Sequence, residues 1–315
     1  MQEQYKDKDF NHFDDEIDFK ELFYVLLGGK WIIISVTSFM SIFGVIYSLL
    51  LPNIYESTAL LVPVNSSNSI SGAIRNYSGL AGFAGITLPS GEDESNSTKA
   101  QLKLGSLSFF EESILKNIHL PDLMAVKSWI PETNTLIYDQ KIYDPNKNIW
   151  VRKYSYPKQQ IPSAQESFEV FKTNHLILNE DKKTGFVSLS IKHQSPFVAK
   201  QWVELIINQI NTFYRLKDKA ESEKAVSYLN KQISETGLSE IQQVIAELLQ
   251  EETKKLTLIE ANKSYVFDYI DPPAVMELKS EPNRATICIL IALFGGMLGI
   301  LIVIIKHYFF DKKDL

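Results

Sequence analysis

Histidines are the side chains of this 315-residue chain best suited to metal binding and acid–base chemistry, and there are five of them. They are scattered along the sequence, at His12, His119, His175, His193 and His307. None has the H-E-x-x-H spacing that turns two imidazoles toward one zinc ion on a helix face. The sequence therefore predicts no metal site.

The residue patterns of other catalytic sites do not occur either. The single cysteine, Cys288, lies inside a long apolar segment, and there is no G-x-S-x-G or P-loop pattern. The chain has 38 Asp and Glu residues, but a catalytic pair among them cannot be recognised from spacing. Charged helix faces explain most of these carboxylates. We predict that the protein is not an enzyme and has no cofactor, unless carboxylates converge in a cleft.

Two long apolar segments, 31–51 and 285–305, lie near the two ends of the sequence and contain no charged residue or histidine. Each has 21 residues, and a helix of that length is about 31 Å long, which matches the hydrocarbon core of a bilayer. Both segments are therefore predicted to be transmembrane helices. A cleaved signal peptide and a buried soluble helix are the alternatives. The length of the first segment and its acidic leader argue against a signal peptide.

Positive residues beside the first apolar segment predict its orientation. Lys20 and Lys30 precede it, and the next positive residue after it is Arg75. Because positive residues favour the cytoplasmic side, residues 1–30 and 306–315 are expected in the cytoplasm. Residues 52–284 are expected on the other side of the membrane.

The composition limits the partners and the stabilising bonds of the central domain. The chain has a net charge of −6 and no large basic region, so nucleic acid is not an expected partner. Residues 52–284 contain no cysteine. This domain is large enough to build a hydrophobic core without disulfides.

Small residues within the two apolar segments predict close helix packing. Glycine and serine recur at four-residue spacing, which lets another helix approach closely in a membrane. The residues concerned are Gly44 and Ser48 in the first segment, and Gly295, Gly296 and Gly299 in the second.

The central domain contains a predicted pair of long helices. Ser195 and Pro196 form a cap and first turn, and the helical pattern continues over 196–235. Gly237 is predicted to stop this helix, and Ser239 to cap a second one over about 239–263. The apolar stripe narrows in the upper part of the pair, so the helices should project and pack against neighbouring subunits. A core closed within one chain is the alternative.

The remaining patterns predict an α+β domain around this pair. Strands are expected over 57–64, near Thr135 and Ile149, over 176–178 with 186–192, and over 265–270, and a helix over 101–120 that ends at Pro121. The Gly/Ser-rich segment 65–98 is either a surface loop or a packed contact. Pro272, Pro273 and Pro282 predict a stiff, extended connector to the second span.

The order of these features resembles the Wzz-type polysaccharide co-polymerases, the chain-length determinants of lipopolysaccharide O-antigen. The matching stretches are 16–31 before and into the first span, 55–64, HQSPFVAKQWVELIINQIN at 193–211, and the exit 265–299 with its prolines and GGMLG. Some relatives carry cytoplasmic tyrosine kinases, and this sequence lacks the Walker motifs.

The resemblance implies a protein of the bacterial inner membrane with a periplasmic α/β base and a projecting helical hairpin. It implies a ring or bell of several protomers, a homo-oligomer in membrane lipid. Its implied activity is to set O-antigen chain length together with the O-antigen polymerase, which acts on undecaprenyl-diphosphate-linked polysaccharide. Two alternatives remain: a co-polymerase for capsule or exopolysaccharide synthesis or export, and a two-span periplasmic sensor.

Overall fold

The computed structural model describes residues 19–64 and 96–309, with only the backbone described for 19–21 and 96. His12, both chain ends and most of the Gly/Ser-rich segment lie outside the described residues. The chain divides into two compact units. The terminal unit comprises the chain through Leu51 and from Pro282 onward, and the central unit runs from Pro52 to Glu281.

The described residues form helices and strands that alternate irregularly along the chain. The α-helices are α1 Phe19–Gly28, α2 Lys30–Leu50, α3 Asn96–Leu104, α4 Leu107–Phe109, α5 Leu120–Met124, α6 Ala164–Val170, α7 Pro196–Glu235, α8 Ser239–Ala261 and α9 Arg284–Phe309. The strands are β1 Tyr55–Pro63, β2 Val126–Ile130, β3 Thr135–Tyr138, β4 Tyr143–Asp144, β5 Ile149–Trp150, β6 Leu176–Glu180, β7 Val187–His193 and β8 Phe267–Asp271.

The terminal unit is built on α2 and α9. Both helices are long and apolar enough to cross a membrane, with mean hydropathies of 2.0 and 3.0. Most of their side chains are exposed in the protein alone, as lipid-facing side chains would be. The predicted two-span membrane protein is therefore confirmed at the level of its helices.

The central unit is organised by an antiparallel sheet in the order β6-β7-β1-β8. In β7 the residues Val187, Leu189 and Ile191 are fully buried, and Leu189 pairs with Ala59 of β1. The first half of α7 covers this face and supplies Trp202, Ile206 and Ile210 to the core, among other residues. The alternating pattern in β7 thus marks the core face. The other face of β7 is not fully exposed to solvent, because Ser190 is also buried. Its hydroxyl oxygen forms a hydrogen bond of 2.7 Å with the Thr58 hydroxyl.

One amide side chain joins the returning strand to the long helix. The Asn211 side-chain oxygen accepts from the backbone N–H groups of Val266 and Phe267 at 2.8 and 2.9 Å. Its side-chain nitrogen donates to the Phe267 carbonyl at 3.0 Å. Because β8 lies at the edge of the sheet, these bonds complete pairing that a further strand would otherwise provide.

The predicted helix over 101–120 is only partly confirmed, because most of this segment is helical but it is not one continuous helix. α3 ends at Leu104, and the Ser106 hydroxyl caps the next short helix by accepting from the Phe109 N–H at 3.3 Å. A π-helix over Phe110–Ile114 and a 3-10 turn over Leu115–Asn117 follow. These changes in helical pitch bury both Phe109 and Phe110 in the core. Pro121 lies in the first turn of α5 instead of ending a helix.

The predicted fold class is confirmed: the protein is a mixed helix and sheet structure with one 40-residue helix and an apolar helix toward each end. α7 and α8 form an antiparallel hairpin, since Lys219 of α7 forms an ion pair with Glu260 at the far end of α8. Except for Ser222, the buried residues of α7 lie between Pro196 and Tyr214. The hairpin therefore extends beyond the core of the central unit.

Candidate functional site

The small residues predicted for helix packing lie at the contact between α2 and α9. Gly44, Ser48, Gly295 and Gly299 are all buried there. A Cβ atom at Gly295 would lie 2.7 Å from the Met40 Cβ. The two spans of one chain therefore use these residues to approach each other.

The backbones are closest at Gly299. A Cβ atom at this position would lie 2.9 Å from the Cα of Ile33, so a larger residue requires the backbone to move. At Gly296 the nearest atom would be the Thr37 Oγ1 at 3.8 Å, an ordinary contact. Gly29, between α1 and α2, was not singled out by the sequence, yet a Cβ atom there would overlap the Val303 side chain.

The predicted start and stop signals of the two long helices are only partly confirmed. The Ser195 hydroxyl caps α7 by accepting from the Val198 N–H at 3.5 Å, and Pro196 is the first helical residue, as predicted. α7 ends just before Gly237, as predicted, but it ends through the extended residue Thr236, and Gly237 itself has no positive φ.

The predicted capping role of Ser239 is wrong. Ser239 is the first residue of α8, and Leu238 occupies the cap position without a side-chain hydrogen bond. The Gln242 amide instead donates to the Thr236 carbonyl at 2.6 Å. The expected serine cap is therefore absent, and the Gln242 hydrogen bond closes the turn between the two helices instead.

The proline connector returns along the start of β1. Pro272 and Pro273 follow β8 directly, and Pro273 is buried. The backbone then pairs with Ile54, whose carbonyl accepts from the Ser280 N–H at 2.8 Å, and Pro282 begins the terminal unit. The central unit continues into the two spans near Ile54 and Glu281. These two residues pair with each other within the central unit.

Two of the scattered histidines meet at the base of α7. The ring centroids of His175 and His193 are 5.8 Å apart, and both rings contact Trp202. No sequence pattern indicated this pair, because the two residues are joined only through the β6–β7 hairpin. The only possible signal was that His193 directly precedes the predicted helix cap.

Hydrogen bonds fix the neutral form of His193. Its Nδ1 accepts from the Ser195 N–H at 2.9 Å, so its Nε2 carries the proton and donates to the Asp122 carbonyl at 3.0 Å. The His175 Nδ1 donates to the Lys192 carbonyl at 2.7 Å. Burial lowers the pKa of both rings, and the neighbouring His193 lowers the pKa of His175 further, to about 4.

In the part of the chain that the structure describes, carboxylates form no cluster suited to a metal ion.

A shallow cavity of about 450 Å³ is lined by Glu180, Asp181, Leu60 and Phe186, among others. The Asp181 carboxylate accepts from the Lys183 N–H at 2.9 Å and the Thr184 hydroxyl at 3.0 Å. These bonds close the β6–β7 turn and lower the pKa of Asp181. The arrangement is that of a structural turn.

The upper hairpin exposes apolar side chains. Ile245 and Ile259 of α8 are buried, whereas Ile241, Val244 and Leu248 are 45, 56 and 44 % exposed. Their spacing of three and four residues places them on one side of the helix. The apolar surface of α8 is therefore wider than the part that α7 covers.

A test of the span contact compares alanine at Gly299 and at Gly296. Gly299→Ala should destabilise the full-length protein in detergent by about 1–3 kcal/mol, because the added methyl group meets the Ile33 backbone. Gly296→Ala should change stability much less. Thermal unfolding midpoints measure both effects, and equal midpoints for the two variants would contradict this packing.

The histidine pair predicts a pH dependence of stability. An unfolded histidine has a pKa near 6.5, so between about pH 6.5 and pH 4 the unfolded chain binds a proton that folded His175 does not bind. Stability must therefore fall as the pH falls through this window, by at most about 3 kcal/mol for His175. His175→Asn keeps a donor for the Lys192 carbonyl and should show a shallower loss. Unfolding in detergent at several pH values measures it, and identical pH profiles would refute the prediction.

Comparison with known proteins adds a family match. The family model described as Wzz, chain length determinant protein, matches residues 15–113, about a third of the chain. The matched range includes α2 and β1. No curated protein sequence matches the chain.

Two solved structures resemble the chain at low sequence identity. A full-length bacterial polysaccharide co-polymerase covers 92 % of this chain and 98 % of its own, at 15 % identity and a TM-score of 0.40. A fragment of WzzB, the polysaccharide co-polymerase from Salmonella Typhimurium, covers 73 % of this chain and 100 % of its own, at 13 % identity and a TM-score of 0.32. Likenesses this weak carry no information about function. Residues 15–113 do carry the sequence pattern of the Wzz chain length determinants, which confirms the resemblance to Wzz-type polysaccharide co-polymerases.

Proposed function

We propose that the protein regulates the chain length of O-antigen polysaccharide and makes no covalent bond itself. The observation that carries this proposal is the match of residues 15–113 to the chain length determinant family. In this proposal the protein lies in the bacterial inner membrane, with both chain ends in the cytoplasm and the central unit in the periplasm. It acts with the O-antigen polymerase on undecaprenyl-diphosphate-linked polysaccharide.

The architecture of the two units supports a scaffolding role. Two apolar helices anchor the chain, and the central unit continues into both of them at adjacent points. Among the described residues no cluster of His, Cys, Asp and Glu suited to a metal ion is found. A domain that is anchored through both of its ends and carries a long helical hairpin suits a protein that organises a polymerase and its lipid-linked product.

The exposed side of α8 supports assembly with further copies of the same chain. Ile241, Val244 and Leu248 form an apolar surface on a helix that is otherwise strongly charged. Such a stripe is typical of helices that pack against one more helix. A neighbouring protomer carrying the same hairpin would cover it, as in a ring of several subunits.

The decisive experiment is deletion of the gene followed by complementation. The deletion strain should lose the modal band of its lipopolysaccharide ladder, and the wild-type gene should restore it. Val244→Lys places a charge on the exposed stripe and should restore the mode poorly. Gln243→Lys, which changes an exposed residue of the same helix turn outside the stripe, should restore it fully.

Three outcomes would contradict the proposal. An unchanged ladder in the deletion strain would reject the role in O-antigen length. Loss of capsule or exopolysaccharide with an unchanged ladder would assign the protein to that synthesis instead. Full restoration by Val244→Lys, at wild-type protein levels, would reject the assembly surface on α8.

A further inference from the structure

Helix α1, which precedes the first span, has no charged side over most of its length. Lys20 and Glu21 lie near its start and Lys30 follows its end, and the eight residues between them, 22–29, carry no charge. Apart from the Tyr24 hydroxyl, their side chains are apolar. A helix that is apolar all round is typical of apolar surroundings on every side.

One side of α1 is covered by the second span, since α1 packs on α9. Gly29 directly follows α1 and continues its hydrogen bonding, because the Gly29 N–H donates to the Val25 carbonyl at 3.0 Å. A Cβ atom at Gly29 would overlap Val303 of α9. Helical spacing places Leu22, Val25 and Leu26 on the same side as Gly29, and all three are half-buried. This side of α1 therefore faces α9.

The opposite side of α1 is exposed and equally apolar. Phe23, Tyr24 and Leu27 are 61, 71 and 49 % exposed, and the rings of Phe23 and Tyr24 lie edge to face with centroids 6.4 Å apart. Along the sequence, exposed apolar side chains continue into α2 with Trp31 and Ile34. The apolar surface of α1 is thus continuous with that of a helix long enough to cross a membrane.

The charges beside α1 do not favour anionic lipid. Residues 1–30 contain four positive and eight negative residues, and residues 306–315 contain three positive and two negative ones. Negative charges therefore outnumber positive ones in the segments that precede the first apolar segment and follow the second. Any lipid contact of α1 must depend on its apolar side chains rather than on charged headgroups.

We propose that the exposed side of α1 lies in the bilayer, at the boundary between the acyl chains and the headgroups. The 21 residues of α2 already form a helix of about 31 Å, the thickness of the hydrocarbon core, so the helix before them lies at the edge of that core. Tyrosine and tryptophan favour this level, because one end of each ring is apolar and the other is polar. Lys30, at the junction, can extend its ammonium group to water while its methylene groups stay among lipid.

An interfacial α1 has a consequence for the two spans. Because α1 packs on α9 and leads directly into α2, movement of either span along the bilayer normal would carry Phe23, Tyr24 and Leu27 into water or deeper into hydrocarbon. α1 thus sets the level of both spans in the bilayer. The inference requires the two spans, and it requires neither their orientation nor the proposed role in chain length.

The test uses the full-length protein in phosphatidylcholine vesicles, with Cys288→Ser as background. Tyr24→Cys carries a polarity-sensitive fluorophore, and Phe39→Cys, in the middle of α2, is the matched lipid-facing control, since the native side chains are 71 and 70 % exposed. The same fluorophore on free cysteine in solution is the reference for water. Quencher lipids carry a nitroxide either near the headgroup end or near the methyl end of an acyl chain.

The probe at position 24 should lose most emission with the shallow nitroxide, and the probe at position 39 with the deep one. Leu27→Cys, on the same side of α1, should behave like Tyr24→Cys, which guards against a local effect of one substitution. Adding phosphatidylglycerol should leave all of these losses unchanged, because the contact is apolar.

Each contrary result overturns the assignment. A probe at position 24 that is quenched no more than the free cysteine adduct would place α1 in water. Stronger quenching there by the deep nitroxide, as at position 39, would place α1 within the hydrocarbon core. Quenching that appears only with phosphatidylglycerol would make charged headgroups the partner. Excimer emission from pyrene at position 24, without quenching by either lipid, would show that a second copy of the chain covers this side.

Discussion

The contact between the first half of α7 and the β1–β7 strand pair is the interaction on which the rest of the central unit depends. Trp202, Ile206 and Ile210 are buried against the strand residues Leu61 and Leu189. Burial of side chains of this size stabilises a fold by about 1.5–3 kcal/mol each. Because this contact fixes the lower half of a 40-residue helix, the upper half can extend without a core of its own.

Polar contacts at the same base set the direction of the helix and of the returning chain. His193 bonds to the backbone just before α7, and Asn211 holds the start of β8 against it. The His193 ring is buried and the Asn211 side chain is half-buried, and an unmade hydrogen bond of a buried polar group costs about 1–3 kcal/mol. The connector that follows then pairs with Ile54, so the chain leaves the central unit beside the point where it entered.

Local signals allowed much of this fold to be predicted. The apolar composition of the spans, the Ser195–Pro196 cap and the alternation in β7 act within a few residues, and all of them appear in the structure. The wrong predictions concern places where tertiary packing decides. Gly105 and Ser106 break an apparently continuous helix so that two consecutive phenylalanines are buried, and Leu238 takes the cap position that Ser239 was expected to hold.

The candidate sites were harder to predict, because they join residues far apart in the sequence. Gly29 meets Val303 of the second span, and His175 meets His193 only after the β6–β7 hairpin has formed. No spacing rule describes either pair. The glycines of α9 fit a known membrane-helix pattern, but the sequence could not say whether they face a helix of the same chain or of another. The structure places α2 of the same chain against them.

Those glycines meet the other span of the same chain, and the surface that we propose for association between copies is the exposed stripe of α8. The most direct test is the mass of the full-length protein purified in detergent, measured by light scattering with the detergent contribution subtracted. We predict a single species containing several copies of the chain, and a mass equal to one chain would contradict assembly through this stripe.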